Sequence, residues 1–456
     1  MTPGHNRSDR RVSPVVGLLD IGTSKVAAAI LVRDPQAALD GDAYGGMRIA
    51  GLGMHRSRGV KAGVLTDLDE AETAVRGAIS QAERAAGLTL DSVIVSVACG
   101  RLKSQHFAAG AEIPGGMVLD EDIDRVMDAG RAYAERDGRS LIHLNRLGFR
   151  LDGVPGVADP LGLAARHLAA DLHSVTADEA PLRNLLLLIE RCYLSCAGLV
   201  ASPYASALAV TTGEERELGV TCIDFGAGTT SIALFAEGRF AGVDVVPVGS
   251  QHISFDIAKT LQTPLAEAER IKTLYGTLIS AQSDEHESFS YPLAGEEDGA
   301  TYQTTKARLT EIIRPRVAQI MGLVRERLEQ NGASAYAGEK IVLTGGASQL
   351  LGAAEFAANE FGRPVRVGKP AALPGLPLSV RKRVTIFWSG LILRTSVSAA
   401  RLLLTSARVS VPNSIVSTET SAMPSASRVA AMLYAMYCAS FSRWFGFTTN
   451  DWMVAG

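Results

Sequence analysis

The sequence predicts an α/β fold built from two similar lobes, each opening on a β-hairpin, with a smaller α/β subdomain inserted into the first lobe. Three observations predict it. The stretch PVVGLLDIGTSKVAAAILV, starting at residue 14, is echoed by GVTCIDFGAGTTSIALFAEG at 219–238, so that two Asp-x-Gly turns, at Asp20 and Asp224, stand 204 residues apart. Self-similarity at that separation reads as an internal duplication. Strand-like apolar runs alternate with helix-length amphipathic segments along most of the chain. Finally, 456 residues with 47% hydrophobic and 20% charged side chains supply core enough for two lobes.

The elements follow in order. Residues 15–33 read as strand, tight polar turn, strand. DEAETAVRGAISQAERAA at 69–86 has helical spacing, and Gly87 stops it. DSVIVSVACG at 91–100 is a strand. Short strands and the charged helix EDIDRVMDAGRAYAER (121–136) then fall between Gly/Pro-rich connections, which places the inserted subdomain at 91–175. A helix at 181–197 leads to the second hairpin. After it come helices at 251–262 and 263–276, a polar loop SDEHESFS at 283–290, and a long helix at 306–331, broken or bent near Pro315. KIVLTGGASQLLGAAEFAANEFG at 340–362 reads as strand, Gly-Gly turn, helix. The expected organisation is a disordered stretch at 1–13, a first lobe at 14–90 and 176–216, a second lobe at 217–402, a linker at 403–427 and a terminal helix at 428–447.

Composition removes several function classes. A net charge of −3 and a pI near 6.3 argue against nucleic acid as a partner. Charge is nonetheless uneven: from Arg381 onward eight basic residues face two acidic ones, a surplus of six that leaves −9 for the rest. Five cysteines (99, 192, 196, 222, 438) without ligand-like spacing give neither a disulfide framework nor a zinc site. MTPGHNRSDRRVS lacks the apolar middle of a signal peptide, an expectation of the cytosolic side. The apolar runs 384–393 and 429–439 fall short of the ~20 residues a spanning helix needs.

The turns carry the chemistry. Asp20-Ile-Gly22-Thr23-Ser24-Lys25 offers backbone N–H groups, two hydroxyls and an ammonium to phosphate oxygens, and Gly22 clears their approach. A carboxylate such as Asp20 faces phosphate usefully only through a hydrated Mg²⁺. Asp224-Phe-Gly226-Ala-Gly228-Thr229-Thr230 repeats the arrangement. Thr344-Gly345-Gly346-Ala347-Ser348 adds a third glycine turn after a strand, expected to lie flat against the α-phosphate and adenosine. Together these predict a purine nucleotide gripped between Asp20 and Asp224.

The three turns, in this order and spacing, resemble the phosphate-1, phosphate-2 and adenosine motifs of the actin, DnaK-type chaperone and sugar kinase superfamily. PVGSQHISFDIAKTLQTPLAEAERIKTLYG (247–276), KAGVLTDLDEAETAVRGAISQAERAAG (61–87), ASPYASALAVTTGEERELGV (201–220) and RVGKPAALPGLP (366–377) look specifically like the FtsA family of bacterial cell division proteins, over about residues 15–380. The resemblance implies a duplicated actin-like (ribonuclease H-like) fold that binds ATP and Mg²⁺, with Asp20 and Asp224 toward the metal. It adds Gly249 to the nucleotide site and turns Glu269 and Lys272 toward ribose and adenine. Their i, i+3 spacing independently puts acceptor and donor on one helix face. His252 is expected to hold the loop after Gly249.

The resemblance also implies filaments, the tubulin-like FtsZ as partner, and further division proteins docking on the inserted subdomain. The segment Ala201-Ser202-Pro203-Tyr204-Ala205-Ser206 carries no Gln, Glu or Asp where chaperone relatives place a Glu before the Pro, so turnover of ATP is expected to be slow or absent. Two alternatives share the fold: a PilM-like adaptor of pilus assembly, and a small-molecule kinase, which needs a substrate base that the sequence does not nominate.

The tail completes the reading. LLTSARVSVPNSIVSTETSAMPSAS at 403–427 has linker composition. RVAAMLYAMYCASFSRWFGF at 428–447 sets Met432, Leu433, Met436, Phe441, Trp444 and Phe445 on one helical face beside Arg443, the pattern of an interfacial helix. FtsA proteins likewise end in a linker and an amphipathic membrane helix, which implies peripheral attachment to the inner membrane at the division septum. At 381–402, however, RKRVTIFWSGLILRTSVSAARL departs from the Gly-Pro turn and helix with which the family completes its nucleotide lobe.

Overall fold

A computed structural model describes residues 15–34, 46–295, 301–330 and 338–370. The first lobe is a five-stranded sheet. Strands β1 (Val15–Ile21), β2 (Lys25–Arg33) and β3 (Met47–Arg56) form an antiparallel meander. A short hairpin, β4 (Val60–Lys61) and β5 (Val64–Leu65), precedes helix α1 (Leu68–Ala86), after which β6 (Ser92–Val97) pairs parallel to β1.

Helix α1 shows why these residues take this form. Asp67 accepts from the N–H groups of Asp69 and Glu70, and Gly87 closes the helix at φ 64°. Its stripe Ala71, Ala74, Val75, Ala78, Ile79 and Ala82 is buried on the sheet. A Cβ at Gly53 of β3 would stand 1.9 Å from the Ala78 carbonyl oxygen, so the helix lies against bare backbone.

The inserted unit follows β6: β7 (Lys103–Glu112), α2 (Asp120–Ala134), β8 (Arg139–Leu151), β9 (Val154–Val157) and β10 (His167–Asp178). Its antiparallel sheet runs β7-β10-β8-β9 around Phe149, Leu168, Leu172 and Val126. The chain returns through α3 (Glu179–Arg191) to β11 (Ser195–Ala201), which pairs parallel to β6. Two expectations are corrected here. Strand β6 belongs to the first lobe rather than to an insertion beginning at residue 91, and the helix expected to reach 197 ends at Arg191, because residues 195–201 are taken up as a sheet strand.

Helices α4 (Ser202–Val210) and α5 (Gly213–Leu218) lead into the second lobe. There β12 (Val220–Phe225), β13 (Thr230–Ala236) and β14 (Arg239–Val246) form a second antiparallel meander, followed by α6 (Ser250–Leu261) and α7 (Leu265–Tyr275). The segment read as a polar loop holds a 3-10 turn, Gln282–Glu285, and β15 (Ser288–Pro292), which pairs with β16 (Thr301–Thr305). Helix α8 (Lys306–Gln330) runs unbroken through Pro315. Pro315 is exposed, while Leu309, Ile313, Val317, Ile320, Val324 and Leu328 form a continuous buried stripe. The carbonyl that the proline frees therefore lies toward water.

Strand β17 (Lys340–Thr344), α9 (Ala353–Phe361) and β18 (Val365–Val367) close the second sheet. The orders β3-β2-β1-β6-β11 and β14-β13-β12-β17-β18 are the same, and so are the strand directions. The duplication expected from the two hairpins is present in the topology. Helix α4 lies between the sheets: Ala207 and Val210 share one core with Leu19 and Val95 of the first lobe and with Cys222, Ala233 and Val342 of the second. The region after Arg381, the linker at 403–427, the terminal helix with Met432, Leu433, Met436, Phe441, Arg443, Trp444 and Phe445, and the stretch 1–13 lie outside the described residues.

Candidate functional site: a cleft between two aspartate turns

The two hairpin turns are closed alike. The Gly22 N–H donates to the Lys25 carbonyl at 3.0 Å, and the Gly226 N–H to that of Thr229 at 3.0 Å. The turns meet: a Cβ at Gly228 would lie 2.3 Å from Thr23 Oγ1, so only glycine allows them this close.

Each aspartate is the next-to-last residue of a central strand. Asp20 is opposite Ser96 in the β1/β6 ladder, and the Ser96 hydroxyl donates to Asp20 Oδ1. Ser206 of α4 donates to Asp224 Oδ2 at 2.6 Å. Both carboxylates are buried, and Asp20 Oδ2 and Asp224 Oδ1 have no hydrogen-bond partner. Burial pushes Asp20 up to about 6, with the nearby Asp224 adding to the rise and Ser96 and Lys25 opposing it. Burial likewise raises Asp224, against the pull of Ser206 and Lys25. Lys25 is lowered by burial while both aspartates hold it up.

Unpartnered buried carboxylate oxygens are costly, and a cation near them, as Lys25 is to both, offsets part of that cost. The donor set, two buried carboxylates on residues that line one cleft, fits Mg²⁺, which keeps several waters and needs few protein ligands. Among the described residues no three His, Cys, Asp or Glu side chains cluster as a protein-only metal cage.

The cleft has a volume of about 710 Å³, within the range of small-molecule sites. Asp20, Gly22, Thr23, Ser24, Lys25, Asp224, Gly226, Gly228, Thr229, Glu269, Lys272 and Gly346 all line it. Four sequence-predicted residues do not. Thr230 is buried and donates to the Val248 carbonyl at 2.8 Å; because side chains alternate along β13, Thr229 and Ser231 take the cleft side instead. Ser348 donates to the Gly345 carbonyl at 2.7 Å and is buried.

Gly345 sits at φ 91°, where a Cβ would meet the Phe225 carbonyl oxygen and Asp224 Oδ1 at about 2.5 Å, so it makes room for the second turn rather than for a ligand. Gly249 does the same beneath Ala227, whose carbonyl accepts from Gln251 N–H at 2.8 Å. Gly346, by contrast, faces open space. His252 Nδ1 lies 3.2 Å from the Gly249 N–H and holds this loop as expected.

Glu269 and Lys272 lie one turn apart on α7. Lys272 is buried, with its ammonium donating to Glu269 Oε2 at 2.7 Å, Ser254 Oγ at 2.9 Å and the Ser250 carbonyl at 3.2 Å. Its three protons are committed, so it orients the half-exposed Glu269 rather than offering a free donor. Sequence reasoning missed Ser96 and Ser206, which grip the aspartates, and Arg56, Ser57, Ser254 and Gln251 in the cleft wall. A serine within the apolar run VIVSV was the one visible hint.

Sequence comparison then decides the family. Cell division protein FtsA of Agrobacterium fabrum is 40% identical over 373 residues, covering 81% of this chain and 84% of that protein. This chain belongs to the FtsA family. FtsA of Escherichia coli K12 is 32% identical over 376 residues, covering 81% and 86%. The family model for cell division protein FtsA matches residues 221–385, and that for the SHS2 domain inserted in FtsA matches 99–176. The second match begins just past β6, where the FtsA-type insertion leaves the first sheet. A solved PilM–PilN type IV pilus biogenesis complex shares the fold, with a TM-score of 0.59, 16% identity, and 84% and 98% coverage. The actin-like two-lobe architecture with an inserted SHS2 unit is thus the family's own.

Proposed function

We propose that this FtsA-family chain binds ATP with Mg²⁺ in the cleft and works as a nucleotide-held assembly protein rather than as a fast enzyme. One observation carries the reading: two buried aspartates, each with an unpartnered oxygen, stand next to last in strands whose glycine turns meet across a 710 Å³ cleft. Asp20 and Asp224 would hold the hydrated metal, which neutralises phosphate charge when bound. The turns at Gly22–Lys25 and Gly226–Thr229 would cradle phosphates with backbone N–H groups and hydroxyls. Glu269, oriented by Lys272, would accept from the ribose.

Turnover should be slow. Among the described residues the carboxylates lining the cleft are Asp20, Asp224 and Glu269, the first two assigned to the metal and the third bound to Lys272. Helix α4 brings Ser202 to the cleft but no carboxylate to activate water. Single-turnover phosphate release well under ~1 s⁻¹, the low end for kinases, is expected, and a rate at or above it contradicts this reading.

Membership of the FtsA family supports a wider role: self-association into filaments, attachment of the FtsZ ring to the inner membrane through the 428–447 segment, and recruitment of later division proteins through the inserted unit. No helix among the described residues is long and apolar enough to cross a membrane. Flotation with liposomes of the full chain and of residues 1–427 tests the attachment: loss of binding in the shorter chain is expected, and equal binding contradicts it. Pull-down of FtsZ by the full chain tests the partner.

A further inference from the structure

The cleft wall contains a segment that neither the turns nor α7 accounts for. Arg56, the last residue of β3, is opposite Lys25 in the β2/β3 ladder, and Arg56 and Ser57 both line the cleft. The backbone N–H of Ser57 donates to the Ser24 carbonyl at 3.1 Å. A few residues on, the Gly63 N–H reaches Thr23 Oγ1 at 3.4 Å. The segment therefore leans on the first aspartate turn at two points.

One of its side chains lacks the partner that a buried position ordinarily has, and the other is open to solvent. Ser57 is 8% exposed and its Oγ makes no hydrogen bond. The guanidinium of Arg56 is exposed and has no ion pair among the described residues. A cation and an unpartnered buried hydroxyl, adjacent in sequence and beside Thr23–Lys25, have the chemistry of an anion site. One χ1 step would turn the serine hydroxyl without moving the backbone.

We infer that Arg56 and Ser57 form a subsite for the terminal phosphate of a nucleoside triphosphate, by which the chain distinguishes tri- from diphosphate. The inference rests on the nucleotide reading of the cleft. With the nucleoside end beside Glu269 on the second lobe, a phosphate chain passing the two turns presents its last phosphate to the first lobe. There Arg56 meets its charge and Ser57 donates to its oxygen. The segment's two bonds to the first turn make its position sensitive to whether that phosphate is present.

Calorimetric titration of the full chain with Mg·ATP and Mg·ADP tests this, using wild type, Ser57→Ala and Arg56→Gln. Each variant is expected to lose about tenfold in ATP affinity, the worth of one charge-assisted hydrogen bond, while ADP affinity stays within about twofold. Because the Ser57 hydroxyl has no partner, the Ser57→Ala chain without ligand should melt no lower than wild type, which separates a binding role from a structural one. Equal weakening of ATP and ADP, or no weakening of ATP, overturns the subsite. Failure of wild type to bind either nucleotide instead overturns the reading of the cleft, and the subsite with it.

Discussion

The backbone N–H of Ala201 donates to Nε2 of His143 at 2.9 Å, tying the inserted unit to the first turn of the helix that grips Asp224. His143 lies on β8 and is buried, Ala201 ends β11, and five residues later Ser206 holds Asp224 Oδ2. His143→Leu leaves a buried N–H without an acceptor. It should cost about 1–3 kcal/mol in urea unfolding and weaken Mg·ATP binding, whereas His143→Gln, which keeps an acceptor, should recover much of both. Unfolding curves that superimpose on wild type would refute the link.

The same histidines set a pH dependence. Burial pushes His143 down to about 4 and His173 to about 3, from an ordinary value of 6.5. Below pH 6.5 the unfolded chain takes up protons there that the folded chain refuses, so their contribution is complete above 6.5 and is lost as pH falls toward 4. Asp20, raised from 3.8 to about 6, acts in the opposite direction: its contribution is complete below 3.8 and is lost as pH rises through 6. Asp224, also raised by burial, acts with Asp20, so the histidine share is read as a difference: going from pH 7 to pH 4.5 should cost wild type more in Tm than it costs His143→Gln.

Gly345 and Gly346 separate the architecture of the third turn from its ligand face. A Cβ at Gly346 meets no atom within 4 Å, so Gly346→Asp should fold with a Tm near wild type while the added carboxylate repels phosphate and Mg·ATP affinity drops at least about tenfold. Gly345→Ala, at φ 91° and against Asp224 Oδ1, should lower Tm even without ligand. Thermal melts beside nucleotide titrations read both.

Lys272→Met removes the donor that orients Glu269 and satisfies Ser254 and the Ser250 carbonyl. The loss should be about 1–3 kcal/mol of stability, with weaker nucleotide binding because Glu269 is then held by Ser254 alone. Lys272→Arg should not restore it, because a planar guanidinium cannot reproduce three converging bonds in that space.

Much of the fold could be read from residues because backbone demands are local. Asp-x-Gly before small apolar alternation specifies a hairpin, and Gly87 after an alanine stripe stops a helix. The insertion boundary was misplaced by one strand because β6 is fixed by parallel pairing with β1 and β11, which lie far away in sequence. Ser96, 76 residues from Asp20, was hidden for the same reason. Strand alternation turns Thr230 into the protein and leaves Thr229 and Ser231 on the cleft side, a distinction that a run of two threonines and a serine does not display. Glu269 and Lys272 were found together, but only the packing shows that the lysine's protons are already committed.

The metal-bridged grip on nucleotide is tested most directly by titrating Mg·ATP into wild type and Asp224→Asn, each with Mg²⁺ and with EDTA. Wild type should bind, and lose at least about tenfold in affinity on chelation. Asp224→Asn should bind as weakly as chelated wild type, show no further loss with EDTA, and without ligand melt higher, since a buried carboxylate with an unpartnered oxygen has been neutralised. Equal affinity with and without Mg²⁺, or undiminished binding in Asp224→Asn, would contradict the account.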